Sequence, residues 1–222
     1  MSKKSSNSDL KDKIYEDLKE GIISLRYKPG EILSEDHLKE EYGVSRTPIR
    51  EALIKLQSEN LVNIIPRGIT CVSQIDINSF KEVLEVKTYL LDIVICISIE
   101  KMNEELKQKL RELVSNKEIY MKVTDIPGLM RINDRYNKVL VDSCMNNELR
   151  EIMTNINSKT LRYFNYFLHQ VNDQTIEKFK LLTYNIHLKI YQCIEEKAID
   201  KVKDILEDHY HKTLSIIRES II

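Results

Sequence analysis

The sequence predicts a mainly α protein in two parts, an N-terminal helix-turn-helix with a small β-hairpin and a C-terminal all-α antiparallel bundle of six or seven helices. Three observations support this prediction. Two short amphipathic stretches flank Gly43, which is typical of two helices joined by a tight turn. Two β-rich runs follow, separated by residues 66–68. Beyond Gly68 the only glycine or proline residues are Pro127 and Gly128, so nearly unbroken helix is expected.

The first helix is expected from Asp9 to Leu25, after a polar tail of residues 1–8 that we expect to be flexible. Apolar residues recur along it at helical spacing, so one face is predicted to be buried. That face consists of Ile14, Leu18, Ile22 and Leu25. The pair Pro29-Gly30 then makes a turn.

The next two helices form the helix-turn-helix. Ser34 is placed to cap a helix from Glu35 to Tyr42, and Gly43 supplies the turn. Ser45 occupies the N-cap position of the third helix, and Pro48 falls in its first turn, where the missing N–H costs no intrahelical hydrogen bond. The inner stripe of the third helix has i, i+3, i+4, i+7 spacing and consists of Ile49, Ala52, Leu53 and Leu56.

The opposite side of the third helix is the first candidate site. Thr47, Arg50 and Ile54 project away from the inner stripe, and Ser45 and Arg46 lie at the helix start. A helix N-terminus already favours anions through its free N–H groups and its dipole. Two guanidiniums and two hydroxyls added there suit phosphates and base edges. The alternative interpretation is a solvated helix face with incidental arginines.

The β-rich runs extend from Leu61 to Ile65 and from Ile69 to Ser73. They predict a hairpin with Arg67 at its tip, directly after the third helix. Asn60 stands where a left-handed residue would end that helix. A hairpin in this place is a wing, the second DNA-contacting element of winged-helix domains.

At this point the sequence resembles the GntR family of bacterial transcription regulators, specifically its FadR branch. The resemblance covers about sixty residues and implies that Ser45, Arg46, Thr47, Arg50, Arg67 and Gly68 contact double-stranded DNA. Some relatives also carry an arginine near the start of the second helix, where this chain has Asp36 and His37. The residues that carry the resemblance are Pro29-Gly30, Leu33, Leu38, Gly43 to Pro48, Arg50 to Leu53, Leu56, Leu61-Val62 and Arg67-Gly68.

The second part of the chain, residues 76–222, is predicted to be helical after a winged domain at residues 9–75. It resembles the FadR C-terminal ligand-binding domain, a bundle of six or seven helices around a central cavity. The expected helices are Asp76–Met102, Glu104–Val123, Pro127–Cys144, Asn147–His169, Thr175–Glu196 and Ala198–Ser220.

Many members of that branch hold a divalent metal in the cavity with an aspartate, a histidine one turn later, and a histidine on each of the last two helices. His187 and His209 match the last two positions. Asn133 and Asn137 occupy the first two. Amide oxygens are weak ligands for transition metals, so the sequence favours histidines that are hydrogen-bonded on the cavity wall over a bound metal.

The resemblance also implies a small effector, commonly an organic acid or related metabolite. Relatives offer an arginine and a glutamate one turn apart on the first bundle helix, where this chain has Lys87 and Leu91. The type of ligand therefore does not carry across. The candidate effector-binding residues are Asn133, Asn137, Arg162, His187 and His209.

The amino-acid composition limits which classes of protein the chain can belong to. The chain carries 34 basic and 35 acidic residues, so any DNA affinity must come from a local surface and from dimerisation. The four cysteines form no C-x-x-C pair, which fits a reducing cytoplasm. The N-terminus lacks the apolar region of a signal peptide. The longest apolar run, Leu90 to Ile99, is too short to cross a membrane, so no membrane partner is expected.

The resulting hypothesis is an effector-responsive repressor that binds a short palindromic operator as a homodimer. Two alternatives remain. One is an architectural DNA binder whose bundle only dimerises. The other is a hydrolase with a metal held by Asp134, His187 and His209, although the sequence offers no nucleophile with an adjacent base and no glycine-rich phosphate loop. The sequence therefore predicts that the protein is not an enzyme.

Overall fold

The computed structural model describes residues 7–65, 69–123 and 125–219, and the chain divides between Asp76 and Ile77 into two units, each with its own core. The first unit contains helices α1 (Asn7–Ile23), α2 (Glu35–Tyr42) and α3 (Arg46–Ser58), followed by strands β1 (Val62–Ile65) and β2 (Ile69–Val72). The strands are antiparallel, with Val62 opposite Val72 and Ile65 opposite Ile69. This is the predicted helix-turn-helix with a hairpin.

The turns of the first unit follow from local sequence. The Ser34 hydroxyl accepts a hydrogen bond from the His37 N–H at 3.4 Å at the start of α2. Gly43 ends α2 with a left-handed backbone, φ 63°, and Asn60 has φ 60° just beyond α3, as predicted. Ser45 differs from the prediction: it occupies the N-cap position of α3, but its side chain makes no capping hydrogen bond.

Helix α1 ends at Ile23, two residues before the predicted end, because Leu25 adopts a left-handed backbone with φ 66°. The chain then returns to the hairpin. The Gly30 N–H donates to the Val72 carbonyl at 2.9 Å, and the Leu33 N–H donates to the Thr70 carbonyl at 2.9 Å. These bonds flank an isolated antiparallel bridge between Ile32 and Cys71, which was not predicted because a single bridge has no strand pattern in the sequence.

The core of the first unit joins α1, α2, α3 and the hairpin. Burying one large apolar side chain in this core stabilises the fold by roughly 1.5–3 kcal/mol, before the entropy cost of ordering the chain is subtracted. Because the inner stripe of α3 is fully used in this core, the opposite side of the helix is left outside. The most deeply buried apolar residues are Ile14, Leu18, Ile22, Leu38, Ile49, Leu53 and Leu56.

The described part of the second unit consists of seven α-helices and one 3-10 turn, which confirms the predicted all-helical bundle. The predicted helix Glu104–Val123 is in fact two helices, because Asn116 interrupts it and its Oδ1 accepts the Glu118 N–H at 3.0 Å as a new cap. The elements are α4 (Ile77–Lys101), α5 (Glu104–Ser115), α6 (Lys117–Met121), α7 (Ile126–Ser143), α8 (Asn147–Leu168), α9 (Asp173–Glu196), the turn Ile199–Lys201 and α10 (Val202–Glu219).

Helix α4 is the central helix of this unit and contacts α7, α8, α9 and α10. Its inner residues Val94 and Ile95 are fully buried with Tyr136, Leu140 and Met153 from the neighbouring helices. In the other half of α4 the polar residue Lys87 is also buried. None of the helices in the described ranges is both long and apolar enough to cross a bilayer.

Candidate functional sites

The outward side of α3 carries every described residue predicted to contact DNA. Ser45, Arg46, Thr47 and Arg50 are all exposed, while the inner stripe on the other side of the helix is buried. Ile54, one turn after Arg50, is 59% exposed. The two remaining predicted residues, Arg67 and Gly68, lie outside the described residues.

Both arginines of this face are paired with carboxylates from the first turn of α2. Arg46 donates to Asp36 Oδ1 from Nη2 at 2.6 Å and from Nε at 3.0 Å. Arg50 Nε lies 3.0 and 2.9 Å from the two oxygens of Glu35. The Arg46 guanidinium holds the pKa of the Asp36 carboxyl below its ordinary value. These pairs could not be predicted from the sequence, because they depend on how α2 packs against α3.

In the second unit, a cavity of about 50 Å³ lies between α4, α7, α8, α9 and α10. Four of the five predicted effector-binding residues line it: Asn133, Asn137, His187 and His209. Arg162, the fifth, is buried in α8 but is not among the residues that line this cavity. The structure therefore brings together four of the five predicted residues and places Arg162 elsewhere in the bundle.

His187 is the central residue of the cavity wall. Its Nδ1 lies 2.9 Å from the Tyr120 hydroxyl, and its Nε2 lies 3.2 Å from Asn133 Oδ1. The amide oxygen of Asn133 can only accept, so Nε2 carries the hydrogen and Nδ1 accepts from Tyr120. The ring stacks on Tyr136 with centroids 3.9 Å apart. Burial, together with nearby His209 and Lys87, holds the pKa of His187 well below its ordinary value, so the ring is neutral.

These residues do not fit a divalent metal. A metal ligand needs a free lone pair, and both ring nitrogens of His187 are engaged. The two asparagines add only amide oxygens and nitrogens. Across the described ranges no three His, Cys, Asp or Glu side chains come together as a possible ligand set. The sequence favoured histidines that are hydrogen-bonded on the cavity wall, and His187 has hydrogen-bond partners of this kind.

His209 and Lys87 are two further polar residues of the cavity wall. The Nδ1 of His209 is buried and has no hydrogen-bond partner among the described residues. Burial and the positive charge of Lys87 lower the pKa of His209 to about 4, so this ring is also neutral at physiological pH. Lys87 extends from α4 into the same wall and is only 7% exposed.

A larger groove of about 460 Å³ adjoins the cavity along α7 and α8. Neither Tyr120 nor this groove was predicted from the sequence. Tyr120 lies in a short helix with no motif of its own. The groove and the cavity share four lining residues: Lys87, Met130, Asn133 and Phe164.

A helix-turn-helix with an exposed arginine-bearing helix, followed by a helical bundle with a polar cavity, defines a transcription regulator of the ligand-binding type. The chain belongs to the GntR family of bacterial regulatory proteins: the gntR family model matches residues 10–72, and the FCD domain model matches residues 82–212. Relatives in this family are transcriptional regulators and not enzymes.

Three relatives illustrate the match. The chain is 25% identical over 201 residues to the HTH-type transcriptional regulator YdhC of Bacillus subtilis (strain 168), covering 89% of this chain and 86% of the relative. It is 21% identical over 208 residues to the HTH-type transcriptional repressor RspR of Escherichia coli (strain K12), covering 93% and 88%. The solved structure of E. coli McbR/YncC has a similar fold, with a TM-score of 0.75, 20% identity and coverage of 96% and 99%.

Proposed function

We propose that this regulator is a cytoplasmic, effector-responsive repressor that binds a short palindromic operator as a homodimer. Residues 9–75 bind DNA, and residues 76–222 bind a small organic acid and dimerise. The single observation that carries the proposal is the exposed face of α3, on which Ser45, Arg46, Thr47 and Arg50 are all free of the core. RspR, a relative over most of the chain, is named as a repressor, which supports that sign of regulation.

Dimerisation is supported by an apolar stripe on the outer side of α4. Val86 is 49% exposed, Tyr89 60% and Ile93 50%, and their spacing places them on one face of the helix. A second copy of the chain would cover the same stripe by two-fold symmetry. Two copies also explain how a chain with 34 basic and 35 acidic residues could bind DNA tightly, because two recognition helices engage one operator.

The proposal is tested by selecting operator sequences from a random DNA pool with the full-length protein and measuring the affinity of the variant R46A/R50A for the selected site. We expect the variant to lose at least ~100-fold in specific affinity, because the base-reading and phosphate-binding groups are removed together. The control K13A/K28A removes the same charge from exposed positions off this face and should retain specific binding. Equal specific affinity of R46A/R50A and wild type would contradict the proposal.

A second titration distinguishes the proposed effector-responsive regulator from an architectural DNA binder. A ligand that demonstrably raises the melting temperature of the protein must also change operator affinity if the bundle is a switch. Unchanged operator affinity with every such ligand would favour the architectural role.

A further inference from the structure

The two helices of the helix-turn-helix present opposite charges side by side. The first turn of α2 carries Glu35 and Asp36, and α3 begins with Arg46. The N-terminus of a helix ordinarily favours anions, and in DNA-binding domains that anion is often a phosphate. In α2 two carboxylates already occupy this end of the helix, and they repel a phosphate. The start of α2 is therefore poorly suited to bind the DNA backbone.

Asp36 is the more exposed of the two carboxylates. Its side chain is 63% exposed, against 21% for Glu35. Both hydrogen bonds that Arg46 donates to Asp36 end on the same oxygen, Oδ1. The Arg46 guanidinium also lowers the pKa of Asp36, so the carboxylate is ionised at neutral pH. Asp36 therefore stands beside the candidate DNA-contacting face as an exposed side chain that can only accept hydrogen bonds.

A side chain that only accepts hydrogen bonds selects among the base edges of the major groove. Guanine presents N7 and O6, thymine presents O4, and adenine presents N7 beside its amino group. Each of these bases places an acceptor where a carboxylate is repelled. Cytosine presents only its N4 amino donor on its own edge. A carboxylate in the groove therefore favours cytosine over the other three bases.

The ion pair also has the right dimensions to contact two neighbouring bases. The bonded atoms of Arg46 and Asp36 lie 2.6 and 3.0 Å apart. Adjacent base pairs are stacked about 3.4 Å apart, so the two side chains can each reach one of two successive pairs. A guanidinium prefers guanine O6 and N7, which complements the preference of a carboxylate for cytosine.

We propose that Asp36 is a specificity-determining residue that accepts a hydrogen bond from the N4 amino group of a cytosine, next to the base that Arg46 contacts. When Arg46 exchanges Asp36 for a base edge, the carboxylate is freed in the same groove and the cytosine amino group replaces the lost donor. At other sequences the freed carboxylate faces acceptors or phosphates, which disfavours the exchange. This inference rests on the proposed DNA-binding role of α3 and adds to it one residue and the base that this residue reads.

The test compares the operators that full-length wild type, D36A and D36N select from a random duplex pool. We expect wild type to prefer cytosine at one position of its site by roughly 5- to 20-fold, and D36A to lose that preference. D36N should select adenine there, because an amide accepts from N6 and donates to N7. Both variants should keep the fold, since an exposed ion pair contributes little to stability.

A chemical substitution in the DNA tests the same contact from the other side. N4-methylcytosine still pairs with guanine, but its methyl group replaces the amino hydrogen that faces the major groove. At the selected cytosine it should weaken wild-type binding by roughly 5- to 20-fold and leave the affinity of D36A unchanged. The matched control is E41Q, which removes the same charge from an exposed position on α2, about 140° around the helix from Asp36. E41Q should respond like wild type.

The inference is overturned if D36A and D36N select the same bases as wild type, or if the methylated operator affects wild type and D36A equally. In either case wild type still selects an operator, so the proposed function stands without a base contact from Asp36. A wild-type protein that selects no common sequence contradicts both the proposed function and this inference.

Discussion

Arg46 donates two hydrogen bonds to a single oxygen of Asp36, from Nη2 at 2.6 Å and from Nε at 3.0 Å. The guanidinium that the fold presents on α3 is therefore shared with a carboxylate from α2 of the same unit. Glu35 holds Arg50 through both carboxylate oxygens, which lie 3.0 and 2.9 Å from Arg50 Nε. A DNA phosphate or base edge must displace or outcompete these carboxylates, so the pairs set how much charge α3 offers to non-specific DNA.

Replacing Asp36 by asparagine frees Arg46 without changing its position on α3. We expect D36N to bind non-specific DNA ~2- to 5-fold more tightly and to show a steeper salt dependence, because one more cation is available for phosphates. The measurement is fluorescence anisotropy of a random duplex across a salt series. E40Q, which removes one negative charge elsewhere on the exposed side of α2, is the matched control. Equal effects of D36N and E40Q would show that net charge and not the ion pair matters.

Lys87 should reduce the stability of the ligand-free protein. Replacing a buried, poorly paired charge by an apolar side chain of similar length is often stabilising, so we expect K87M to gain about 1–3 kcal/mol in the free energy of unfolding without ligand. Urea denaturation of the full-length protein measures this. A K87M protein less stable than wild type would mean that the ammonium makes favourable contacts in the free state.

The pH dependence of stability gives an independent check on Lys87. Its pKa is about 8 in the folded protein against an ordinary value of 10.5, so the unfolded chain binds more protons between these values. Wild-type stability should therefore rise from pH 8 to 10.5, by up to ~3 kcal/mol, relative to K87M. Asp134 acts on Lys87 electrostatically, and His187 and His209 share its cavity and are neutral throughout this range. Lys138, Asp142 and Arg150 line the groove beside Lys87 and are present in both proteins, so the comparison with K87M isolates Lys87. Parallel curves for the two proteins would contradict the burial of a charged Lys87.

The donor set of the cavity predicts how the protein responds to metals. Wild type should show no change in melting temperature with equimolar Zn²⁺, because both nitrogens of His187 are engaged and Asn133 and Asn137 are weak ligands. The double variant N133D/N137H supplies a carboxylate and an imidazole on one face of α7 and should gain zinc-dependent stabilisation. Metal analysis after purification without chelator completes the test. Zinc bound equally by wild type would show that the ring of His187 can be released.

The sequence predicted the fold almost completely, because its strongest signals are local: helical periodicity, caps and the turn residue Gly43. It placed Asn133, Asn137, His187 and His209 around one cavity only through resemblance to a family. Lys87 was visible in the sequence as a departure, but its burial depends on how α4 packs against α7 and α8. The pairing of Arg46 with Asp36 likewise arises from a tertiary contact. The cap at Asn116 arises because a local side-chain hydrogen bond competes with continuation of the helix, and helical periodicity does not encode either feature.

The apolar stripe of α4 allows dimerisation to be tested by one substitution. Tyr89 is 60% exposed, so Y89E changes a surface position and should not disturb the bundle core. In a symmetric dimer two glutamates would replace two aromatic contacts across the interface, and we expect the dimer to dissociate at micromolar concentration. Light scattering coupled to gel filtration measures the mass.

The matched control is I119E, which places the same charge at another exposed apolar residue, 43% exposed on α6, and should leave the mass unchanged. In Y89E, but not in I119E, the affinity for a full palindrome should fall toward the affinity for a single half-site, because one recognition helix then binds without the other. A Y89E protein that remains a dimer would show that a different surface joins the two copies.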